Sequence, residues 1–484
     1  MVMKIPNDVI RKLAAVAARS DLGDPRRSRR LAKFTAQLAR NPSASLPAAM
    51  GDDASLQGAY RLLNNDEVSF EAVLASHRET TFAQAVHARK VLVVHDTTDC
   101  SFPRLDPKAI GYLQTGKAGF RLHLSLVLDA ATWRRPLGIG HAEPLWRKQR
   151  SRKRKKGRRK RTGADTAGQP DREFCRWWRG IAACEAALPP GTTAVHLADR
   201  ETDSYELLAQ FEEDQLQYVV RQRVDRRGRD VTSPATEWST VRQVAAQSEG
   251  LLEREVPLSR REKKPTPAMN KAHPPRKQRL AHLRFAATTV VIPRPRYLRE
   301  PLPAQLTLNL VHVTEVDPPE GEPAVEWLLY TSLPIDTPAQ VATIVDYYRS
   351  RWTIEEFNSA LKTGCAYEQR EFTTRHALLN LLAATLPIAC QLLWLRSRAR
   401  TDPSAPAEEV LTACQIEVLR SLSPRKPSAH PTAEEVLLSV AALGGHLKRN
   451  GPPGWLVLYR GMAKLLAYEA GWNAAMARRR RGDL

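Results

Sequence analysis

Three carboxylates lie directly after or beside apolar runs, and the fold would bring them to one place. Asp96 follows VLVV and His95, Asp199 follows AVHLA, and Glu355 lies within DYYRSRWTIEEFNSALKTG (346–364). An unpaired carboxylate beside apolar residues is costly unless a cation joins it. Three such oxygen donors would hold one or two Mg²⁺, which prefers carboxylate and water ligands and serves phosphodiester chemistry. The nearby acidic residues that stay open as alternatives are Asp99, Asp129, Glu143 and Asp203.

The segment around Glu355 also carries polar side chains at helical spacing. These residues are Tyr348, Arg351, Glu355 and Lys362. At ~100° per residue in an α-helix they fall within roughly 60° of one another, beside an apolar arc. A capping-box start at 337–340 and the absence of Pro and Gly until Gly364 predict one helix over 338–363. The pattern indicates a helix with one buried arc and one polar, functional edge.

Composition points to a polyanionic partner. The chain has 484 residues, enough for two to four domains, and 74 Lys+Arg against 52 Asp+Glu give a net charge of +22. The pI near 10.0 favours nucleic acid first and an acidic membrane surface second. The six cysteines show no CxxC and no paired spacing, which argues against a structural zinc and a disulfide framework.

The first 75 residues predict short helices with a basic surface. Asp24 and Pro25 are a good helix start, and the helix that follows places Leu31, Phe34 and Leu38 on one face. Its other faces are basic and suit phosphate contacts, although a solvated surface would look similar. The basic residues of this helix are Arg26, Arg27, Arg29, Arg30, Lys33 and Arg40.

The rest of the chain predicts a mixed α/β sheet. Strand patterns occur at 90–102, 119–130, 135–143, 192–200 and 217–223. A helix pattern at 171–188 precedes the fourth strand, and a short one precedes the fifth. Residues 225–335 read as an inserted antiparallel β unit. Beyond about 370 the chain reads as mostly helical, with a Pro- and Ser-rich loop around 401–432.

Two further segments each allow two interpretations. The apolar stretch 377–395 contains Asn380, Thr385, Pro387 and Gln391, and it predicts a buried core helix rather than a membrane span. The basic run RKQRSRKRKKGRRKR (147–161) is either a solvated charge run or an additional non-specific grip on DNA through phosphate neutralisation. The spread of charges in the first twenty residues predicts no signal peptide, so a cytoplasmic protein is expected.

Several of these motifs together resemble one protein family. The spacing Y-x2-R-x3-E-x6-K from Tyr348 to Lys362 is similar to the signature of the insertion-sequence-four group of bacterial DDE transposases, which includes the transposon-five cut-and-paste transposase. The resemblance extends over nearly the whole chain. The segments that carry it are GAYRLLNN, VVHDTTDCSF, LADRETDSYELL, YVVRQR, EWLLYTSLP, RWTIEEFNSALKTG and LGGHLKRNGPPGWLVLYRGMAKL. The basic run 147–161 departs from the family pattern.

The resemblance implies a domain organisation and a set of partners. It implies a ribonuclease-H-like catalytic core over 76–370 with a β insertion at about 225–335. An N-terminal helical domain over 1–75 would recognise transposon ends, and a C-terminal helical domain over 371–484 would mediate dimer contacts. The implied partners are double-stranded DNA, as transposon ends and as target, and a second copy of the chain in the synaptic complex. The implied location is the bacterial cytoplasm, associated with the nucleoid, with no membrane.

The resemblance also assigns site residues. Asp96, Asp199 and Glu355 would be catalytic ligands of Mg²⁺, with Mn²⁺ able to substitute. The implied reaction is 3′ end nicking, hairpin formation and resolution, and strand transfer into target DNA. Trp327 would support a base flipped out of the duplex, by stacking worth ~1–3 kcal/mol. The residues expected to contact DNA are Tyr348, Arg351, Lys362, Trp327, Arg221, Arg27 and Arg30.

Alternatives remain at the level of residues and of function. Trp327 in a strand is also a plausible core residue, and Arg221 a plausible surface cation. His95 is interpreted as structural, because adjacent strand residues point to opposite faces. The rival functions are a ribonuclease-H-like nuclease that cuts without joining, and a catalytically defective DNA-binding relative of a transposase.

Overall fold

The structure is a computed structural model of the chain. It describes residues 7–131, 135–148, 175–258, 261, 270, 274–298, 302–447, 453 and 455–481. The basic run 147–161 therefore lies outside the described residues from position 149 onward.

Five helices form the N-terminal part, as the sequence predicts. They are α1 (Asn7–Ala18), α2 (Pro25–Arg40), α3 (Leu46–Met50), α4 (Asp53–Leu63) and α5 (Phe70–Ala88). Asp24 caps α2 by accepting a hydrogen bond from the Arg26 N–H, with Pro25 in the first turn. Leu31, Phe34 and Leu38 are buried, so the apolar face of α2 packs inward and its basic faces turn outward.

Five strands and three helices follow and confirm a mixed α/β fold. The strands are β1 (Lys90–Ser101), β2 (Gly119–Asp129), β3 (Arg135–Leu145), β4 (Thr193–Ala198) and β5 (Gln217–Arg221). The helices are α6 (Pro107–Ile110), α7 (Arg176–Glu185) and α8 (Tyr205–Glu213). β1 pairs antiparallel with β2 and parallel with β4, and β4 pairs parallel with β5. The order β3-β2-β1-β4-β5 places β1 near the centre of this sheet.

The predicted β insertion continues the same sheet. Its elements are β6 (Arg227–Asp230), β7 (Ser239–Thr240), α9 (Val241–Gln247), β8 (Gly250–Leu258), β9 (Arg279–Pro293), β10 (Gln305–Glu315) and β11 (Glu326–Thr331). β11 pairs antiparallel with β5, and β10 and β9 follow outward. The inserted segment therefore extends the edge of the first five strands instead of packing as a separate unit.

The single helix predicted over 338–363 is interrupted, which corrects that prediction. The start is as predicted, because Thr337 and Gln340 form a capping box for α10 (Pro338–Ser350). A turn at Arg351 separates α10 from α11 (Trp352–Ser359), and a π-helical turn (Ala360–Gly364) ends the segment. Its 2.8 Å hydrogen bond from the Cys365 N–H to the Ala360 carbonyl spans five residues. The polar residues of this segment are therefore distributed over α10, α11 and the π-helical turn.

The C-terminal part is helical, with α12 (Arg375–Thr401), α13 (Ala413–Leu422), α14 (Ala433–Leu443) and α15 (Trp455–Arg481). The loop predicted around 401–432 contains α13, which begins with a capping box at Thr412 and Gln415. Of the described helices, the segment Arg375–Arg398 of α12 is long and apolar enough to span a membrane. Because 76% of its apolar window is buried inside the structure, it has the burial of a core helix.

Candidate active site

Pairing of β1 with its neighbours brings Asp96 and Asp199 to one place. As the strand pattern at 90–102 predicts, β1 continues through Asp96 to Ser101, because 96–101 pairs with β2. The parallel register joins Val94 to Leu197, so Asp96 lies level with the residue that follows β4. Asp199 is that residue, and it accepts a 2.9 Å hydrogen bond from the Glu201 N–H at the start of a 3-10 turn.

The helix α11 brings Glu355 to the same two carboxylates. α11 packs against β1, and Asn358 one turn beyond Glu355 donates from Nδ2 to Asp96 Oδ2 at 3.1 Å. Arg351, at the break between α10 and α11, places Nη1 3.5 Å from Glu355 Oε1. The three carboxylates predicted from the sequence are therefore neighbours, with one guanidinium among them.

Electrostatic coupling confirms that these charges are close together. Burial raises the pKa of Asp96 to about 6, and the charges of Glu355 and Asp199 add to the rise. Burial alone would lower the pKa of Arg351, but Tyr348, Asp199, Asp96 and Glu355 together raise it. Negative charge is therefore in excess around Asp96, and Arg351 offsets part of it.

The donor set fits a divalent cation in its chemistry. Carboxylate oxygens are the ligands that Mg²⁺ and Mn²⁺ take in proteins, and a bound cation would offset both the burial and the neighbouring negative charges that raise the pKa of Asp96. Within the described ranges, no three His, Cys, Asp or Glu side chains are already placed to hold a metal ion.

The competing acidic residues are all engaged by arginines. Arg121 lies 3.7 Å from Asp99, Arg135 3.6 Å from Asp129, and Arg179 2.6 Å from Glu143, and Arg226 pairs with Asp203. Asp203 also accepts hydrogen bonds from the N–H groups of Arg223 and Val224. These ion pairs give the four carboxylates structural partners. Glu355 also has an arginine at 3.5 Å, but that guanidinium, Arg351, interacts with Asp96 and Asp199 as well.

Three of the residues expected to contact DNA form a cluster where α10 faces β5 and β11. The rings of Trp327 and Tyr348 lie 5.8 Å apart at 58°. Arg221 donates from Nη2 to the Glu326 carbonyl at 3.1 Å, and its side chain is also hydrogen-bonded to Tyr348. Burial lowers the pKa of Arg221, which marks a guanidinium held away from bulk water. Tyr348 and Arg351 link this cluster to the carboxylates.

Lys362 lies in the π-helical turn and contacts β1 beyond Asp96. Its Nζ donates to Thr98 Oγ1 at 2.8 Å and to the Asp99 carbonyl at 2.6 Å. Glu368 Oε1 lies 3.8 Å from the same nitrogen. The wider turn thus directs Lys362 to the strand that carries Asp96, with its ammonium held by two oxygens.

Arg27 and Arg30 belong to a different part of the molecule. Arg27 donates from Nη1 to the Leu22 carbonyl at 2.9 Å. Arg30 is exposed, and its guanidinium lies against Gly58 of α4, so a Cβ there would meet it at 1.6 Å. Arg27 thus contacts the loop before α2 and Arg30 contacts α4, and the structure does not bring either side chain to the carboxylates.

His95 takes part in a buried hydrogen-bond chain on the other side of β1. Its Nε2 lies 2.9 Å from His196 Nδ1, and Ser125 Oγ lies 2.8 Å from its Nδ1. Glu185 Oε1 lies 2.7 Å from His196 Nε2. Burial holds the pKa of His95 well below its usual value, so the ring is neutral. These contacts are those of a structural residue, as expected from the sequence.

Sequence reasoning missed Asn358. Its side chain is buried beside Asp96, yet a polar residue in a helix carries no signal of its own. The signal that could have found it is spacing, since residues three apart share a helix face and Asn358 is three beyond Glu355.

Two family models match the chain. One, described as transposase DNA-binding, matches residues 13–68, which contain α2, α3 and α4. The other, described as transposase DDE domain, matches residues 181–388. The second match contains Asp199, Glu355 and the segment between them, and Asp96 lies before it. A DDE domain implies a ribonuclease-H-like core, in agreement with the mixed sheet on which these carboxylates lie.

Proposed function

We propose that this chain is a DDE transposase, in keeping with the two family models that match it, and that it moves a bacterial insertion sequence by cut-and-paste transposition. The observation that carries the proposal is the coupling of three carboxylates from separate elements. Burial raises the pKa of Asp96 on β1, and Glu355 on α11 and Asp199 after β4 raise it further. Placement in the insertion-sequence-four group is supported by the spacing of Tyr348, Arg351, Glu355 and Lys362.

Asp96, Asp199 and Glu355 are proposed as the catalytic residues and as the ligands of Mg²⁺, with Mn²⁺ as a substitute. Members of this family generally use divalent metals, which supply water activation and charge stabilisation in phosphodiester chemistry. Arg351, paired with Glu355 at 3.5 Å, holds that carboxylate beside the other two. Asp199 is held in place by the hydrogen bond that it accepts from the Glu201 N–H.

The proposed reaction has three stages on the same residues. Hydrolysis at the transposon end frees a 3′ hydroxyl, and this hydroxyl attacks the opposite strand to form a hairpin. A second hydrolysis reopens the hairpin, and the 3′ hydroxyls then attack target DNA. Each stage is a displacement at phosphorus that forms one phosphorus–oxygen bond and breaks another, so one set of carboxylates serves all of them.

The neighbouring cations and rings are proposed to hold the DNA. Tyr348, Arg351, Lys362 and Arg221 would bind phosphates around the cut, and Trp327 would stack on an extruded base. Support comes from position, because Tyr348 contacts both the Trp327 ring and the Arg221 side chain. Arg351 joins that group to Glu355. Base and phosphate contacts would therefore lie directly beside the carboxylates.

The domain roles are also proposed. Residues 1–75 would recognise transposon ends through α2, where Arg27 and Arg30 contact phosphates, in keeping with the DNA-binding match over 13–68. Residues 76–370 would form the catalytic domain, with the β insertion at about 225–335. Residues 371–484 would mediate a homodimer on DNA. A protein of this kind works on the bacterial chromosome, so a cytoplasmic, nucleoid-associated location is proposed.

The test incubates the full-length protein and Mg²⁺ with a duplex carrying the end of its own element and with a plasmid target. Cut ends joined to the plasmid are the expected products. Cleavage without joined products would replace the proposal with a nuclease. A band shift without cleavage would replace it with a catalytically defective DNA-binding relative.

A further inference from the structure

Asn358 is a buried polar residue beside the carboxylates to which the proposed reaction gives no role. It lies three residues after Glu355 in α11, and its side chain is 7% exposed. Its Nδ2 donates a 3.1 Å hydrogen bond to Asp96 Oδ2. Asn358 therefore connects the helix that carries Glu355 to the strand that carries Asp96.

The oxygen end of the same amide has no such bond. Asn358 Oδ1 is buried and has no hydrogen-bond partner in the part of the chain that the structure describes. A buried acceptor without a partner is costly, and native proteins pair the great majority of such groups. Because Nδ2 and Oδ1 belong to one planar amide, the bond to Asp96 keeps Oδ1 beside the same carboxylate. An uncompensated acceptor at this place points to a ligand.

Resting on the proposed function, we infer that Asn358 is a positioning residue of the cation site. Its Nδ2 fixes one oxygen of Asp96. Its Oδ1 is a neutral oxygen that would accept a hydrogen bond from the water shell of a hydrated divalent cation. Amide oxygens are accepted by such cations, and an amide adds no further negative charge to three coupled carboxylates. Hydrogen-bond partners of ligating carboxylates typically govern metal affinity, since their loss costs about 10–100-fold.

The chain offers a matched control in Asn380. Asn380 is also buried, at 1% exposure, and its Oδ1 likewise has no partner among the described residues. Its Nδ2 donates to the carbonyls of Leu63 and Val68, which lie in the N-terminal region. Asn380→Leu therefore removes a comparable buried amide that touches none of the three carboxylates.

The experiment measures Mn²⁺ binding to the full-length protein without DNA, by the paramagnetic resonance signal of free Mn²⁺. Asn358→Leu and the smaller Asn358→Ala are expected to raise the Kd for Mn²⁺ by about tenfold or more. Asn380→Leu is expected to keep the wild-type Kd even though it lowers the unfolding temperature. The paired comparison separates a role at the cation from general destabilisation.

Asp96→Ala distinguishes failure of this inference from failure of the proposed function. If Asp96→Ala binds Mn²⁺ as wild type does, the proposed cation site itself is wrong, and the role of Asn358 with it. If Asp96→Ala loses Mn²⁺ while both Asn358 variants, folded, keep the wild-type Kd, the role of Asn358 is overturned and the cation site stands.

Discussion

At the scale of single residues, the protonation of Asp96 is the most informative feature. Its carboxyl is buried against two other carboxylates, and burial together with those charges raises its pKa to about 6. The ionised form is therefore disfavoured in the folded protein relative to the unfolded chain. The sequence predicted that these acids would meet, because each follows or lies beside an apolar run and because the family resemblance groups them, while four neighbouring acids stayed open. It could not predict their coupling, which depends on the pairing of β1 with β4.

Replacing Asp96 with Asn should stabilise the metal-free protein at neutral pH. A folded-state pKa raised from 3.8 to about 6 means that stability is lost as the pH rises through this window. The variant escapes that loss, so its free energy of unfolding should exceed that of wild type by about 3 kcal/mol at pH 7.5. Urea unfolding with a chelator present, at pH 4 and pH 7.5, measures the difference.

Asp99→Asn is the control for this prediction, because Asp99 lies three residues along the same strand and pairs with Arg121. Its free energy of unfolding at pH 7.5 should not exceed that of wild type. If the free energy of unfolding of wild type and of Asp96→Asn changed equally between pH 4 and pH 7.5, the raised pKa of Asp96 would be contradicted.

At the scale of elements, the segment from Thr337 to Gly364 shows what the sequence could and could not specify. Its start was predicted because a capping box is local, involving only Thr337 and Gln340. Its interruption at Arg351 was not, since no Pro or Gly marks it. There the guanidinium meets carboxylates from other elements, and the π-helical turn lets Lys362 reach β1. The interruption and the π-helical turn both depend on contacts with other elements, and no local sequence pattern contains those contacts.

The insertion is tied to α10 by an ion pair whose removal should be costly. Arg254 of β8 makes a two-point contact with the buried carboxylate of Asp346, at 2.6 and 2.9 Å. Among the residues that the structure describes, Arg254→Met leaves that charge with Arg349 at 3.3 Å as its remaining ion-pair partner. We expect the free energy of unfolding to fall by about 3 kcal/mol.

A double-mutant cycle measured by urea unfolding tests this prediction. Asp346→Asn combined with Arg254→Met should recover much of the loss, because no buried charge is then left without its partner. Additive losses in the double variant would show that the two residues do not act as a pair.

At the scale of the whole molecule, a net charge of +22 suits a chain that must hold DNA along an extended surface. The mixed α/β class followed from the strand and helix patterns, because those are local. The continuation of one sheet from β5 through β11, β10 and β9 did not, since strand order is set by pairing between distant segments. The insertion thereby carries Trp327 to Tyr348, beside the residues proposed to be catalytic.

Binding of end DNA should depend steeply on salt, and Arg30 should account for part of the slope. Arg30 is exposed on α2, whereas Arg27 is half-buried and donates a hydrogen bond to the Leu22 carbonyl. Arg30→Ala should reduce the slope of log K against log salt by about one. Arg420→Ala on α13, where the arginine pairs with Glu417, is the control. Identical slopes for wild type and Arg30→Ala would remove Arg30 from the DNA contacts.

The most direct test of the central claim compares two neighbouring glutamates on α11. Glu355→Gln removes a carboxylate coupled to Asp96, whereas Glu356→Gln alters one that lies 3.9 Å from Arg396. With end DNA, Mg²⁺ and plasmid target, Glu355→Gln should shift the DNA as wild type does and yield neither cut nor joined product. Glu356→Gln should yield both products. Cleavage by Glu355→Gln at the wild-type rate would contradict the assignment of the active site.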